Sequence, residues 1–286
     1  MLATLLHSTS RIILVIVCVA VLGILISLSL LTNRDRAVLF QKHKTIVVGN
    51  VTRSYLISAP KSGTKPTKLA IGIHAFGDNS RRFAYYTALH NVAGDDTVVV
   101  YPNATQPHTK GIKAGWNASF CCGSGWEDGA DDVGFIEALI KNLSNQYGIT
   151  PKNTFLVGFS NGAFMAQRFA AEKPELIGGI AVSSGTIGTK TRSITPRSPV
   201  PILLMHGSLD KTVPLLGGAT VFEPNFDWHS YADTLSVWQK INGDKVPTKS
   251  LVYPEAGHKW YGWRILNIWQ QRPEASVESI NFLKGL

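Results

Sequence analysis

The sequence predicts an α/β protein: a mostly parallel sheet of about eight strands, flanked by helices and preceded by an N-terminal transmembrane helix. Two observations predict this fold class. From Thr45 onward, short apolar runs alternate with helix-length amphipathic stretches, and twenty uncharged positions stand ahead of them. Of the 286 residues, 44% are hydrophobic and 16% are charged, which excludes a disordered chain.

The uncharged run covers residues 12–31. As a helix rising ~1.5 Å per residue it would extend ~30 Å, the thickness of a bilayer hydrocarbon core. Cleavable signal peptides have a shorter apolar region of about 7–15 residues. We therefore expect a membrane anchor over residues 1–33 and one large domain over residues 34–286, with a cleaved signal as the alternative.

Most predicted strands are rich in Val, Ile and Leu without polar alternation, as expected for strands buried on both faces of a parallel sheet. The candidates are Thr45–Val48, Thr52–Ile57, Leu69–Ile73, Thr97–Tyr101, Thr154–Gly158, Gly179–Ser183, Ile202–Met205 and Lys249–Tyr253. The candidate helices are Arg81–Val92, Asp132–Tyr147, Gly162–Glu172, Ser230–Ile241 and Ala275–Lys284. The first two strands lack an intervening helix and predict an antiparallel hairpin at the sheet's edge; the later strand–helix alternation predicts an open sandwich.

Composition also argues against several functional classes. The 28 Lys and Arg exceed the 19 Asp and Glu and give a net charge of +9, yet they are scattered and accompany no nucleic-acid-binding motif. We therefore expect a solvated basic surface and no nucleic-acid partner. The eight His show no paired metal-ligand spacing, and no phosphate-binding glycine loop is present, so neither metal nor cofactor is implied.

The three cysteines are too few for a disulfide-built scaffold. Cys121 and Cys122 are adjacent, and consecutive Cα atoms lie ~3.8 Å apart, below the usual disulfide range of ~4.4–6.8 Å. A bridge between them would be strained, and its presence stays open. Asp131 and Asp132 precede a predicted helix, where N-capping is favoured over metal binding.

The fifth predicted strand runs directly into Gly158-Phe159-Ser160-Asn161-Gly162, and a helix follows. In this G-x-S-x-G pattern a sharp turn lifts the serine hydroxyl clear of the sheet, and the two glycines let strand and helix approach closely. Ser160 could instead be only a helix N-cap. The strand–turn–helix context favours a nucleophile.

A serine nucleophile needs a general base and an acidic residue that orients the base. With a G-x-S-x-G motif, the acidic residue follows the serine along the chain, and the histidine base follows the acidic residue. His258 stands just past the last strand, and Asp210 stands in the loop after the strand Ile202–Met205. His206 closes that strand and is expected to support the loop, whereas His229 is expected at the surface. The competing acids fall in a loop or helix or lie too near His258: Glu223, Asp227, Asp233 and Glu255.

Acyl transfer also needs hydrogen-bond donors aimed at the developing oxyanion. The backbone N–H of Asn161 begins a helix, and the backbone N–H of Phe76 lies in the loop after Leu69–Ile73. Since backbone groups act here, we expect both side chains to be weakly constrained. Aromatic residues that flank the motif loops are candidates for lining a substrate pocket, although core packing is the commoner role: Trp116, Trp126, Trp228, Trp260 and Tyr261.

Four ordered blocks together resemble the α/β-hydrolase family that includes poly(3-hydroxybutyrate) depolymerases and feruloyl esterase-like secreted esterases. The blocks are Trp116-Asn117…Cys121-Cys122-Gly123 with Asp131-Asp132-Val133-Gly134-Phe135, then Gly158–Gly162, then His206-Gly207…Asp210…Val213-Pro214, and last Gly257-His258-Lys259-Trp260. The resemblance covers about residues 69–286. The chain departs from the family in two places, with Ala75 where the family usually has Gly and Tyr261 where it tends to have Pro.

The resemblance implies an α/β-hydrolase fold and a cofactor-free serine esterase with the triad Ser160, Asp210 and His258. Its substrate would be a small ester or short oligoester of hydroxyalkanoate, feruloyl or aryl type. It also implies export, with the domain anchored through residues 12–31 or secreted, whereas the basic residues after the anchor would by the positive-inside rule keep it cytoplasmic. A peptidase, amidase or lipase on the same fold, or a non-catalytic binding protein, are the alternatives.

Overall fold

The computed structural model describes residues 12–19, 21–23, 29, 31–60, 63–106, 111–221, 224–262 and 273–286. The strands of this part of the chain are β1 (Lys44–Val48), β2 (Val51–Ser58), β3 (Lys68–Ile73), β4 (Thr97–Pro102), β5 (Thr154–Phe159), β6 (Gly179–Ser183), β7 (Ile202–Gly207) and β8 (Thr248–Tyr253). They form one sheet in the order β1-β2-β4-β3-β5-β6-β7-β8. Each strand overlaps one that the sequence predicts.

Strand direction divides the sheet into an antiparallel edge and a parallel centre. β1 pairs with β2 and β2 pairs with β4 in antiparallel register, which confirms the predicted hairpin. The remaining pairs from β4 through β8 are all parallel. The carboxyl ends of parallel strands share one edge, so the loops after β3, β5, β7 and β8 leave the sheet on the same side.

The helices that follow the N-terminal segment are α1 (Asn33–Leu39), α2 (Ser80–Thr87), α3 (Leu89–Val92), α4 (Ser124–Glu127), α5 (Asp132–Tyr147), α6 (Asn161–Glu172), α7 (Tyr231–Asn242) and α8 (Glu274–Lys284). α5, α6 and α7 pack on one face of the sheet, and α1, α2, α3 and α8 on the other. The chain therefore forms the predicted open sandwich, with one apolar core on each face of the sheet.

The predicted helix Arg81–Val92 is wrong as a single element. Ala88 has φ +46° and separates α2 from α3, a conformation that breaks a right-handed helix. After this break the ring and backbone of His90 reach the hydroxyl of Tyr101, with Nδ1 at 2.7 Å and the backbone N–H at 3.1 Å. The break thus lets the buried ring and backbone N–H of His90 form hydrogen bonds.

Helix α1 lies at the start of the domain and is absent from the predicted elements. Thr32 caps it by accepting a hydrogen bond from the backbone N–H of Asp35, whose carboxylate accepts one from the backbone N–H of Thr32. This reciprocal capping box is readable as Thr-x-x-Asp. Val38 and Leu39 then bury the helix against the sheet.

Residues 12–19 and 21–23, within the predicted transmembrane helix, are helical and exposed. Across all described residues, no helix combines the length and the apolar character required to cross a bilayer. Residues 1–11, 20, 24–28 and 30 of the predicted anchor lie outside the described part. Membrane anchoring stays a prediction from the sequence.

Candidate active site

Ser160 occupies the turn between β5 and α6 with φ +53° and ψ −120°. This backbone conformation is rare for residues other than glycine. A Cβ at Gly158 would lie 2.7 Å from the carbonyl carbon of Gly162, and one at Gly162 would lie 2.6 Å from the carbonyl oxygen of His74. The two glycines of the motif therefore permit the close strand–helix crossing that raises Ser160 above the sheet.

The structure brings Ser160, His258 and Asp210 into one hydrogen-bonded chain. His258 Nε2 lies 2.8 Å from Ser160 Oγ, and His258 Nδ1 lies 2.7 Å from Asp210 Oδ2. The imidazole packs against Phe159, with ring centroids 5.2 Å apart. A base in contact with the serine and a carboxylate on its other nitrogen form the arrangement that activates a serine hydroxyl.

The carboxylate of Asp210 is fully buried, with hydrogen bonds to both of its oxygens. Oδ1 accepts from the backbone N–H groups of Thr212 and Val213, each at 2.9 Å. Burial alone would raise the pKa of the Asp210 carboxyl, but the hydrogen bond and charge of His258, with the Val213 N–H, hold this pKa below its usual value. Asp210 is therefore ionised at neutral pH.

His206 supports the loop that carries Asp210, as the sequence predicts. Its Nε2–H donates to the carbonyl oxygen of Val213 at 2.8 Å and lies 3.6 Å from Asp210 Oδ2. Burial lowers the pKa of this imidazole, so the ring is neutral. Among the described residues its Nδ1 has no hydrogen-bond partner.

The loop after β3 is held by a second buried imidazole. His74 Nδ1 contacts the carbonyl oxygen of Ala75 at 2.8 Å, and Nε2 accepts from the backbone N–H of Ala104 at 3.0 Å. Burial lowers the pKa of His74, and a neutral ring suits both contacts. The backbone N–H of Gly77 donates to the carbonyl of Ala114 at 2.8 Å, which fixes the far side of the turn around Phe76.

The two expected oxyanion donors flank the serine from these loops. Asn161 is the first residue of α6, and Phe76 lines the same cavity as Ser160. Within the described residues neither backbone N–H donates to another protein group.

The expectation that the Asn161 side chain is weakly constrained is wrong. The side chain is buried, its Oδ1 accepts from the backbone N–H of Trp116 at 2.7 Å, and its Nδ2 donates to the Trp116 carbonyl at 3.1 Å. Nδ2 also lies 4.0 Å from Cys121 Sγ. Asn161 thus ties the long loop after β4 to the start of α6. The sequence did not show that the backbone N–H and carbonyl of Trp116 would need a side-chain amide as their hydrogen-bond partner.

Ser160 and His258 open into a cavity of about 310 Å³. Its walls come from the loops after β3, β5, β7 and β8, from α2 and from the end of β5: Ala75, Phe76, Gly77, Asp78, Arg82, Tyr86, Phe159, Ser160, Thr212, His258 and Lys259. Sequence reasoning missed Tyr86, Thr212 and Lys259. A larger cavity of about 690 Å³ lies between residues 187–196 and α7 and contains none of the triad.

None of the aromatic candidates predicted from the sequence lines this cavity. Trp116, Trp260 and Tyr261 are buried, and each forms a hydrogen bond inside the protein. The indole N–H of Trp116 donates to the His74 carbonyl at 2.9 Å, and that of Trp260 donates to Ser276 Oγ at 3.0 Å. The hydroxyl of Tyr261 lies 2.9 Å from Ser184 Oγ. Trp228 stacks on Phe164 in the core. Trp126 is 37% exposed on α4, outside the cavity. Burial and pocket lining both select large apolar rings, so the sequence does not separate the two roles.

The paired aspartates at the start of α5 have different structural roles, so the N-capping prediction holds for Asp131 and is wrong for Asp132. Asp131 caps the helix by accepting from the backbone N–H of Gly134 at 2.8 Å. Asp132 instead forms a buried ion pair with Arg53, with Oδ1 and Nη2 2.6 Å apart. In the described part of the chain, no cluster of three or more His, Cys, Asp or Glu could hold a metal ion. Cys121 and Cys122 form a disulfide.

Comparison with known proteins agrees with the fold. The chain is 29% identical to "Putative esterase NocK" of Nocardia uniformis subsp. tsuyamanensis over 180 residues, covering 62% of the chain and 51% of that protein. It is 26% identical to "Probable feruloyl esterase C" of Aspergillus flavus over 177 residues, 59% of each protein. The chain thus spans half to three fifths of the length of these curated relatives.

The crystal structure of esterase PE8 superposes with a TM-score of 0.57 at 21% identity, covering 82% of the chain and 98% of that structure. At this identity the superposition shows a shared α/β-hydrolase fold. Residues 57–225, more than half of the chain, match the family model described as phospholipase/carboxylesterase. This segment includes Ser160 and Asp210. The chain belongs to the phospholipase/carboxylesterase family.

Proposed function

We propose that this protein is a serine esterase that hydrolyses carboxylic esters through Ser160, His258 and Asp210. The observation that carries the proposal is the continuous hydrogen-bonded chain from the Asp210 carboxylate through His258 to the Ser160 hydroxyl, with distances of 2.7 and 2.8 Å. Membership of the phospholipase/carboxylesterase family supports it. The short cavity at the serine gives the substrate access to the hydroxyl.

In the acylation step, Ser160 Oγ attacks the ester carbonyl carbon while His258 Nε2 takes the hydroxyl proton. The carbonyl oxygen becomes an oxyanion that accepts hydrogen bonds from the backbone N–H groups of Phe76 and Asn161. The tetrahedral intermediate then collapses, the bond to the alcohol oxygen breaks, and His258 returns its proton to the leaving alcohol. Asp210 keeps the Nδ1–H oriented and stabilises the imidazolium.

Deacylation repeats these steps with water in place of the serine. His258 removes a proton from a water molecule that attacks the acyl carbon, and the same two N–H groups stabilise the second oxyanion. When the bond to Ser160 breaks, its oxygen takes the proton back from His258. The products are a carboxylic acid and an alcohol, and the enzyme is restored without a cofactor.

We further propose small substrates, namely aryl or feruloyl esters and short hydroxyalkanoate oligoesters. The cavity of about 310 Å³ is at the small end of the range of about 300–1,000 Å³ for ligand pockets. A curated relative is named as a probable feruloyl esterase, which makes methyl ferulate a suitable test ester. A phospholipid and a peptide amide should be hydrolysed at least 100-fold more slowly than the small esters, and the opposite order would favour a lipase or amidase.

The experiment is 4-nitrophenyl acetate hydrolysis by the full chain and by its Ser160→Ala variant. Removing a triad serine lowers kcat by about 10³-fold or more, so the variant should be almost inactive. Ser236→Ala, on the exposed side of α7, is the matched control and should retain full activity. A serine-directed fluorophosphonate should add its mass at Ser160. An inert wild-type chain, or an equally active Ser160→Ala chain, would refute the esterase proposal.

Membrane attachment through residues 12–31 and an exported domain also remain proposals. They rest on the apolar sequence of these residues. If they hold, the expressed full chain will sediment with membranes and resist alkaline carbonate extraction, and externally added protease will cleave the domain in intact cells.

A further inference from the structure

Two lysines flank the cavity at Ser160 without an anionic partner. Lys259 directly follows His258 and contributes to the cavity wall. Lys113 lies next to this wall, with Nζ 5.9 Å from the ring centroid of Phe76. Both side chains are exposed, and neither forms an ion pair among the described residues.

The acidic groups near the cavity are already occupied. Asp78 lines the wall, but one carboxylate oxygen accepts from Tyr86 Oη and the other from the Asn79 N–H, each at 2.9 Å, and Arg82 Nε lies 3.4 Å from the latter oxygen. Asp210 is buried behind the imidazole of His258. Glu255 is exposed but is not part of the cavity wall. The uncompensated charge that faces a substrate is therefore positive.

The position of Lys259 in the chain relates it to one part of the substrate. In the proposed reaction His258 Nε2 protonates the departing alcohol oxygen, and Lys259, the next residue, lines the same cavity. The alcohol part is therefore the part of the substrate that this lysine is best placed to meet. An ammonium on a flexible four-carbon stem can follow an anionic group without a fixed geometry. A cleft wall of one charge sign also raises the local concentration of oppositely charged substrate.

We propose that Lys259 is a specificity residue that favours esters whose alcohol part carries a carboxylate. The free-acid end of a hydroxyacid oligoester has this chemistry, because its leaving alcohol is itself a hydroxy acid. This inference rests on the proposed esterase function and narrows it to an anionic leaving group. A neutral aryl alcohol gains nothing from Lys259.

The test compares 3-acetoxybenzoate with 3-acetoxybenzamide, two acetate esters that differ in the charge on the alcohol part. The quantity measured is the ratio of their kcat/KM values, with the benzoate in the numerator. Exposed ion pairs contribute modestly, so Lys259→Gln should lower this ratio about threefold to fivefold. Lys259→Arg should keep it. Raising NaCl from about 20 mM to about 500 mM should lower the wild-type ratio, because salt screens exposed charges.

Lys245→Gln is the matched control, because this exposed lysine in the turn after α7 carries the same charge away from the cavity. Its ratio should equal that of the wild type. An unchanged ratio in Lys259→Gln overturns the inference, as does an equal fall in Lys245→Gln. Neither result touches the esterase proposal, provided that the wild type hydrolyses both esters. If the wild type hydrolyses neither ester, both the esterase proposal and this inference are refuted.

Discussion

The side chain of Asn161 forms two hydrogen bonds with the backbone of a single residue, Trp116. Its Oδ1 accepts from the Trp116 N–H at 2.7 Å and its Nδ2 donates to the Trp116 carbonyl at 3.1 Å. The backbone N–H of the same asparagine is one of the two proposed oxyanion donors. One residue therefore couples the order of the long loop to the geometry of the active site.

Asn161→Ala should lower both stability and activity. The substitution leaves a buried N–H and a buried carbonyl of Trp116 without partners, which costs about 2–3 kcal/mol of unfolding free energy. Urea unfolding and 4-nitrophenyl acetate turnover measure the two effects. Asn142→Ala, at an exposed position of α5, should change neither. Equal stability of the two variants would contradict the structural role given to Asn161.

His206→Phe should lower kcat while leaving KM nearly unchanged. The phenyl ring keeps the volume but cannot donate to the Val213 carbonyl, so the loop loses the contact that places Asp210 against His258. A displacement of about 1 Å in such a chain costs about 100-fold in rate, and we expect a loss of about 10- to 100-fold.

His229→Phe is the control for that substitution. His229 is partly exposed and bonds to Ser193 Oγ, away from the triad. Steady-state kinetics of both variants on the same ester separate a positioning effect from a general one. If His206→Phe raises KM and leaves kcat intact, His206 does not act through Asp210.

Ser160→Gly should be more stable than Ser160→Ala, although both abolish hydrolysis. A non-glycine residue at φ +53° and ψ −120° costs about 1–3 kcal/mol, which the unfolded-state entropy of glycine offsets by about 0.5–1 kcal/mol. We expect a net difference of about 1 kcal/mol in the free energy of unfolding. At Ser236, within α7, Ser236→Gly should be less stable than Ser236→Ala, because glycine is the poorer helix former.

The contribution of Asp96 to stability should disappear in acid. Partial burial by itself would raise the pKa of Asp96, but hydrogen bonds from Lys284, Lys68 and Thr97 lower it from 3.8 to about 2. Because the folded-state pKa is depressed, the stabilisation is complete above the unfolded value and is lost as pH falls through about 2. The carboxylate is 38% exposed, so solvent screening limits the effect to below about 1 kcal/mol.

The measurement is the difference in unfolding free energy between wild type and Asp96→Asn across the acid range. This difference should be constant above about pH 5 and shrink toward zero near pH 2. Asp244→Asn removes an exposed carboxylate that forms no ion pair among the described residues and should show no such trend. A difference for Asp96→Asn that does not vary with pH would mean that the lysine contacts do not form.

The convergence of Ser160, Asp210 and His258 was predictable from the topology of the sheet. Parallel strands direct their following loops to one edge, so a serine after β5, an acid after β7 and a histidine after β8 must converge there. The central strands β3 to β7 were predictable from buried apolar runs. The break at Ala88 was not, since an alanine at φ +46° has no local signature and depends on the buried contacts of His90.

The wall of the cavity was the least predictable part of the site. Trp116 and Trp260 resemble pocket residues in the sequence, yet internal partners for their indole N–H groups keep them in the core. Lys259 and Thr212 face the cavity because of how their loops turn back over the sheet. Such orientations depend on side-chain packing between loops, which periodicity and motif spacing do not encode.

The disulfide between Cys121 and Cys122 joins neighbours and encloses no intervening residue. Cross-links restrict an unfolded chain more when they close a longer loop, so this bond ties down no distant part of the molecule. The segment around it is ordered from outside, by Asn161 on Trp116 and by Asp132 and Arg168 on the backbone of Asn117 at 2.7 and 2.6 Å. A graft of this segment onto another scaffold would need those three helix residues as well.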